Sequence, residues 1–178
     1  MGSFETVLSI LILVLTGHAL KLSGMLREED ASSLNRIVIN LAIPSLIFTS
    51  LYRADLSGIA DLFLIPLVCI TTGALSGTIA SLWARRRGMD SRKTWGIIVA
   101  AAMMNSGFLG YPVTEGIFGS QGLLRAIFYD TGTTVMFTSL GLILSVISGA
   151  EGTAVVKRAV TFPPLWAFIL GVTFNLIG

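Results

Sequence analysis

Charge is scarce in this sequence: 12% of its 178 residues are Asp, Glu, Lys or Arg, while 53% are hydrophobic. A soluble domain carries about twice that share of charge, so an ordinary water-soluble globule is excluded. Cysteine and histidine occur once each, as Cys69 and His18. A single cysteine forms no internal disulfide and says little about redox compartment. One His with one Cys cannot build a zinc site, and neither His-Glu-x-x-His nor Gly-x-Ser-x-Gly occurs. Tyr129-Asp130 resembles half of an aspartyl protease centre, but that chemistry needs two carboxylates sharing one site. The expectation is therefore no enzyme, no metal site and no resident cofactor. Basic residues interleaved with aromatics are also missing, so no nucleic-acid partner is expected from a net charge of +2.

What the chain has instead is six long apolar runs, at about 4–22, 34–52, 59–84, 94–117, 123–150 and 159–178. A hydrocarbon core of about 30 Å takes roughly 20 apolar residues as a helix. Lipid offers no hydrogen bonds to the backbone, so runs of this length predict helices, whereas a transmembrane β-barrel would show shorter alternating segments. The expected fold is an all-α integral membrane protein of about six spans, its partner the lipid bilayer. The first run is not a cleavable leader, because no Lys or Arg precedes it and its length suits a full span.

The loops fix an orientation. Lys21, Arg27, Arg36, Arg85, Arg86, Arg87, Arg92, Lys93, Lys157 and Arg158 flank or occupy the first, third and fifth loops, against Arg53 and Arg125 in the second and fourth. Positive loops stay cytoplasmic, which puts the N-terminus outside. Ser32 or Ser33 is the expected N-cap after the acidic turn at 28–30, and Gly88 an expected helix stop.

Two runs are poor continuous helices. The second contains Pro44 after Asn40, and the fourth reads Asn105-Ser106-Gly107-Phe108-Leu109-Gly110-Tyr111-Pro112. Broken backbone at membrane depth is tolerated where it lines a cavity or is buried in protein, and transporters use it to present half-helix ends to substrate and ions. Residues 105–112 are read as a break. Asn105 and Ser106 would supply side chains and freed carbonyls there, Gly107 and Gly110 the turn and close approach, and Pro112 the first turn of the second half-helix. Free N–H groups at that positive dipole end suit an anionic carboxylate. Asp130 lies inside the fifth run and is costly there unless it works. It is the candidate for proton or cation coupling, with Thr131, Thr133 and Thr134 adding oxygens. Asn40 and Pro44 either line the same cavity or form a bend. Glu115 and Asp61 read as interfacial, and His18 as a packed histidine. Gly73-Ala74-Leu75-Ser76-Gly77 is a small-residue packing motif that brings a helix close.

Gly17-His18-Ala19-Leu20-Lys21-Leu22-Ser23-Gly24 and Gly171-Val172-Thr173-Phe174-Asn175-Leu176-Ile177-Gly178 share Gly, Leu and Gly at one spacing. An inverted repeat of five spans would restart in this way, giving residues 1–150 as one five-helix repeat and 151–178 as the first helix of a second.

Asn40-Leu41-Ala42-Ile43-Pro44-Ser45-Leu46-Ile47-Phe48, the 105–113 stretch, Phe128-Tyr129-Asp130 and Phe162-Pro163-Pro164 resemble the auxin efflux carrier family, which includes bacterial malate-permease-like members. The resemblance implies ten spans as two inverted five-span repeats, with the fourth helix of each broken, and alternating-access carriage of small organic anions such as carboxylates or auxin-like weak acids. H⁺ or Na⁺ would be the coupling ion, and the cell (plasma or inner) membrane the location. The sequence holds half of such a fold, which calls for a homo-oligomer or the missing second half. The alternative is a non-transporting membrane subunit or an incomplete fragment of a longer carrier. A scaffold should tolerate changes at Asn105 and Asp130 that a carrier does not.

Overall fold

A computed structural model describes residues 3–56, 59–149 and 151–178. All regular structure among the described residues is helical: α1 (Ser3–Leu22), α2 (Glu28–Ile37), α3 (Ile43–Tyr52), α4 (Ile59–Leu62), α5 (Ile65–Arg86), α6 (Ser91–Ala102), α7 (Tyr111–Ser148), α8 (Thr153–Val160) and α9 (Pro163–Ile177). A π-helical turn, Val38–Ala42, joins α2 to α3, and a second, Ser106–Gly110, leads into α7. Four apolar helical stretches are long enough to cross a membrane: Ser3–Leu22, Glu28–Tyr52, Ile59–Arg86 and Ser91–Ser148. The pair α8 and α9, bent by 42°, makes a fifth if taken as one span. The 58 residues of Ser91–Ser148 would reach about 87 Å if straight, nearly three times the ~30 Å core. Two interruptions divide them: the non-helical residues 103–105, and Gly119 with φ 66 and ψ −160. Only glycine enters that backbone region readily. The expected fourth and fifth runs both lie in this stretch. The end of the fifth run, Ala150, falls outside the described residues.

Helix ends follow local chemistry. The α2 N-cap is Arg27 rather than Ser32 or Ser33, a correction to the sequence reading. The Arg27 N–H donates to the Asp30 carboxylate at 2.8 Å, so three acidic residues form the first turn, where they suit the helix dipole. Ser32, already inside the helix, donates to the Glu29 carbonyl. Gly88, at φ +64, follows the end of α5 as expected.

Asp90 caps α6. Its carboxylate accepts the Lys93 backbone N–H at 2.9 Å and pairs with Lys93 Nζ at 3.2 Å. The backbone N–H first, and then the ammonium, hold its carboxyl below the ordinary value of 3.8. A depressed folded-state pKa adds stability that is present above the unfolded value and is lost as pH falls through the folded one. Asp90→Ala should therefore lower the thermal midpoint slightly at pH 7. The gap to wild type should narrow as pH falls below the ordinary carboxylate range, in parallel melts in detergent micelles.

Packing divides the chain into two units. The first comprises residues 1–55, 107–126 and 161–178. Its densest contact joins α3 and α9. Gly171 lets α9 approach so closely that a Cβ there would sit 2.9 Å from Leu51 Cβ. Phe48 meets Phe174 edge-on at 6.2 Å and stacks on Tyr52 at 5.9 Å. The Asn175 amide donates to the carbonyls of Leu51 (3.0 Å), Tyr52 (2.9 Å) and Ala54 (2.9 Å), where the end of α3 runs out of helical donors, the Leu51 carbonyl also accepting the Ala54 N–H at 3.2 Å. Gly116 faces the buried Thr6 of α1. Most other α1 side chains are apolar and exposed, as suits a helix solvated by hydrocarbon.

The second unit comprises residues 56–106 and 127–160. Here α5 and α6 make the main contact. Gly73 and Gly77 face Ala102 and Ile98 of α6, so the small-residue motif does bring a helix close. The later part of α7 packs on α5 through Gly132, where a Cβ would lie 2.6 Å from the Pro66 carbonyl and 2.7 Å from Cys69 Cβ. The fully buried Phe128 meets Phe63 edge-on at 5.5 Å.

Candidate functional site

The break in the fourth run begins two residues earlier than the sequence suggests. Helix α6 stops at Ala102, Met103 is extended (φ −100, ψ 123), and the chain re-enters helical geometry at Ser106 through the π-turn. The second half-helix thus starts at Ser106, and its positive end falls there rather than at Pro112. Pro112 sits one turn further on, two residues past Gly110. Pro44 holds the same place two residues after the other π-turn, Val38–Ala42. The reason is common to both. A proline ring collides with the carbonyl four residues back and donates no N–H, and a wide turn relieves the collision without ending the helix. Such π-bulges recur at functional sites.

Within the second unit a polar cluster occupies otherwise apolar helices. The Ser106 hydroxyl bonds the Asp130 carboxylate and lies 3.2 Å from Thr133 Oγ1. Thr133 Oγ1 is in turn 3.3 Å from the sulfur of Cys69, which is 2% exposed. The Tyr129 hydroxyl donates to Met104 Sδ at 2.9 Å, beside the break. Asp130 and Thr133, three residues apart, share one helix face, and the α5 contact at Gly132 holds that face against Cys69. A carboxylate with two hydroxyls can accept or release a proton, or offer up to four oxygens to a small cation.

Of the predicted site residues, the second unit holds Asn105, Ser106, Asp130 and Thr131. It brings Ser106 to Asp130, while Asn105 is exposed just before the half-helix. Thr131 turns back to the Phe128 carbonyl at 2.7 Å, and it is Thr133 that meets the Ser106 hydroxyl held by Asp130. The first unit holds Asn40, Pro44, Gly107, Gly110 and Pro112. There the Asn40 amide donates to the Arg36 carbonyl of its own helix at 2.7 Å. Cys69 and Met104 carried no signal in the sequence, since both read as ordinary apolar fill. Among the described residues no group of three or more His, Cys, Asp or Glu is placed to hold a metal ion.

Several apolar helices of spanning length, one of them interrupted beside an intramembrane acid, define a multi-pass membrane protein built like a transporter. The chain belongs to the family described as membrane transport protein, the auxin efflux carrier group, which it matches over residues 3–154. It is 78% identical over 178 residues to an uncharacterized transporter of Methanothermobacter thermautotrophicus, covering all of this chain and 59% of that protein. It is 36% identical over 177 residues to the uncharacterized transporter MJ1031 of Methanocaldococcus jannaschii, covering 98% and 58% of the two. With the uncharacterized transporter YfdV of Escherichia coli K12 the identity is 28% over 186 residues, covering 97% and 58%. The chain thus spans less than two thirds of these relatives' length. No solved structure matches it.

Proposed function

We propose that the chain forms the substrate-handling part of a secondary transporter for small organic anions, carboxylates or auxin-like weak acids, in the cell membrane. The observation that carries this reading is the half-helix that begins at Ser106, whose first hydroxyl is held by Asp130. An interrupted helix offers a carboxylate its positive end and unpaired backbone groups at membrane depth. The resemblance to auxin efflux carriers points to the same chemistry. Asn105, Ser106, Gly107, Gly110 and Pro112 would form the anion site, with Asn40 and Pro44 at a second wide turn. Asp130 and Thr133 would couple transport to H⁺ or Na⁺, Thr133 replacing Thr131 in that role. Residues 1–150 would be one five-span repeat and 151–178 the start of another, with a second copy or further spans completing the carrier.

The test is uptake of radiolabelled malate and related weak acids into proteoliposomes holding the full chain. Saturable uptake is expected, and Asn105→Ala should raise the half-saturating concentration about tenfold or more, the size of one lost hydrogen bond to a charged group (~1.5 kcal/mol or more). No saturable uptake by a well-folded sample would favour a non-transporting subunit.

A further inference from the structure

One face of the second unit carries a groove of about 520 Å³ between α5, α6 and the later part of α7. It runs along α5 from Ile70 to Arg85, with Trp95 of α6 among its lining residues. Fifteen residues of helix rise about 22 Å, more than the ~15 Å of a single leaflet's hydrocarbon. Small side chains open the groove: Gly73, Ala74, Gly77 and Thr78 lie along its α5 wall. Two of its three hydroxyls are turned away from an occupant, the third being Ser81, one turn from Arg85 at the charged end. Thr78 donates to the Ala74 carbonyl at 2.7 Å and Ser139 to the Val135 carbonyl at 2.8 Å, each within its own helix. The wall therefore presents little free hydrogen-bonding capacity and suits a hydrocarbon chain.

One end is different. Arg85, in the last turn of α5, belongs to a basic cluster with Arg86, Arg87 and, in the first turn of α6, Arg92 and Lys93. Lys93 is paired with Asp90, and Arg87 lies over the Trp83 ring at 5.7 Å. Among the described residues Arg85, Arg86 and Arg92 have no ion-pair partner. An unpaired guanidinium at the mouth of an apolar groove matches a phosphate over an acyl chain, since its planar fork binds phosphate through two parallel hydrogen bonds. A Trp such as Trp95 is at home at headgroup depth.

We propose that this groove is a binding site for an anionic glycerophospholipid of the cytoplasmic leaflet, its acyl chain lying along Ala74 and Thr78 and its phosphate on Arg85. This inference is independent of the transport reading, because none of the residues 103–112 lines the groove.

The experiment is native mass spectrometry of the full chain in micelles titrated with phosphatidylglycerol or phosphatidylcholine. Wild type should retain phosphatidylglycerol preferentially. Arg85→Gln should weaken that retention about fivefold, the worth of one basic residue at an anionic surface, and leave phosphatidylcholine unchanged. Thr78→Leu, which fills the groove without touching the charge, should weaken retention of both lipids, whereas Arg53→Gln, in a different loop, should change neither. Quenching of Trp95 by brominated phosphatidylglycerol, in a chain carrying Trp83→Phe and Trp166→Phe, reads the same site without mass spectrometry. Equal retention by wild type, Arg85→Gln and Thr78→Leu would overturn the proposal. So would efficient Thr78→Cys crosslinking between two copies in a Cys69→Ser background, which would make the groove a protein interface.

Discussion

Asp130→Asn should reduce gradient-driven uptake at least about tenfold, the effect of losing a single interaction of ~1.4 kcal/mol, while the protein still folds and inserts. Asn keeps the size of the side chain and can still accept from the Ser106 hydroxyl, which itself meets Thr133. What it loses is the charge, and with it the capacity to take up a proton or attract a cation. A charged side chain in the hydrocarbon region is expensive and persists where it has work to do. The informative readout is the dependence on the gradient. Wild type should respond to a pH or sodium gradient, and Asp130→Asn should show a residual flux that responds to neither. Ser106→Ala should be milder, since Thr133 still offers a hydroxyl to the carboxylate's neighbourhood. If Asp130→Asn carries substrate with an unchanged gradient response, Asp130 is a strut for the half-helix and coupling lies elsewhere.

Gly132→Val should disturb the protein more than any other single glycine substitution in the second unit. The added Cβ would meet backbone, the Pro66 carbonyl at 2.6 Å and Pro66 Cα at 3.1 Å, as well as Cys69 Cβ at 2.7 Å. Backbone cannot swing aside as a flexible side chain can, so α5 and α7 must separate. Overpacking of this kind costs about 1–3 kcal/mol. Separation also draws Thr133 away from Cys69, so the polar cluster loses its support and uptake should fall with stability. Gly96→Ala is the control, because a Cβ there meets nothing within 4 Å. Thermal unfolding in micelles and uptake should fall together in Gly132→Val and stay level in Gly96→Ala. Loss of uptake at full stability would instead mean that Gly132 contacts substrate.

The apolar runs and the broken fourth span were legible in the sequence because lipid leaves the backbone so few choices. Asn, Ser, two Gly and Pro within eight residues announce an interruption. Its starting point was not legible. Met103 has an extended conformation that its identity does not demand, and the strain from Pro112 is relieved upstream at 106–110 rather than at the proline. The same displacement puts the wide turn of the second run at 38–42, upstream of Pro44. Ser32 and Ser33 looked like caps because Ser is a good one, but the acidic turn from Glu28 to Asp30 begins the helix earlier. The pairing of Ser106 with Asp130 was half visible as two polar residues in neighbouring spans. The link onward to Cys69 joins residues 64 apart in the chain, and no local pattern encodes which sulfur meets which hydroxyl. Thr131 and Thr133 were indistinguishable by composition, and only the helix register that Gly132 sets against α5 separates them.

The three carbonyls held by Asn175 also bear on the order of assembly during synthesis. Leu51, Tyr52 and Ala54 are made 121 to 124 residues before the amide that satisfies them. The second unit has all its residues once Val160 is made, whereas the first draws on 161–178. A chain threaded vectorially into the bilayer would thus complete the unit that contains Asp130 first. The carbonyls of Tyr52 and Ala54 would wait, with water or lipid headgroups as stand-ins, until α9 brings the Asn175 amide.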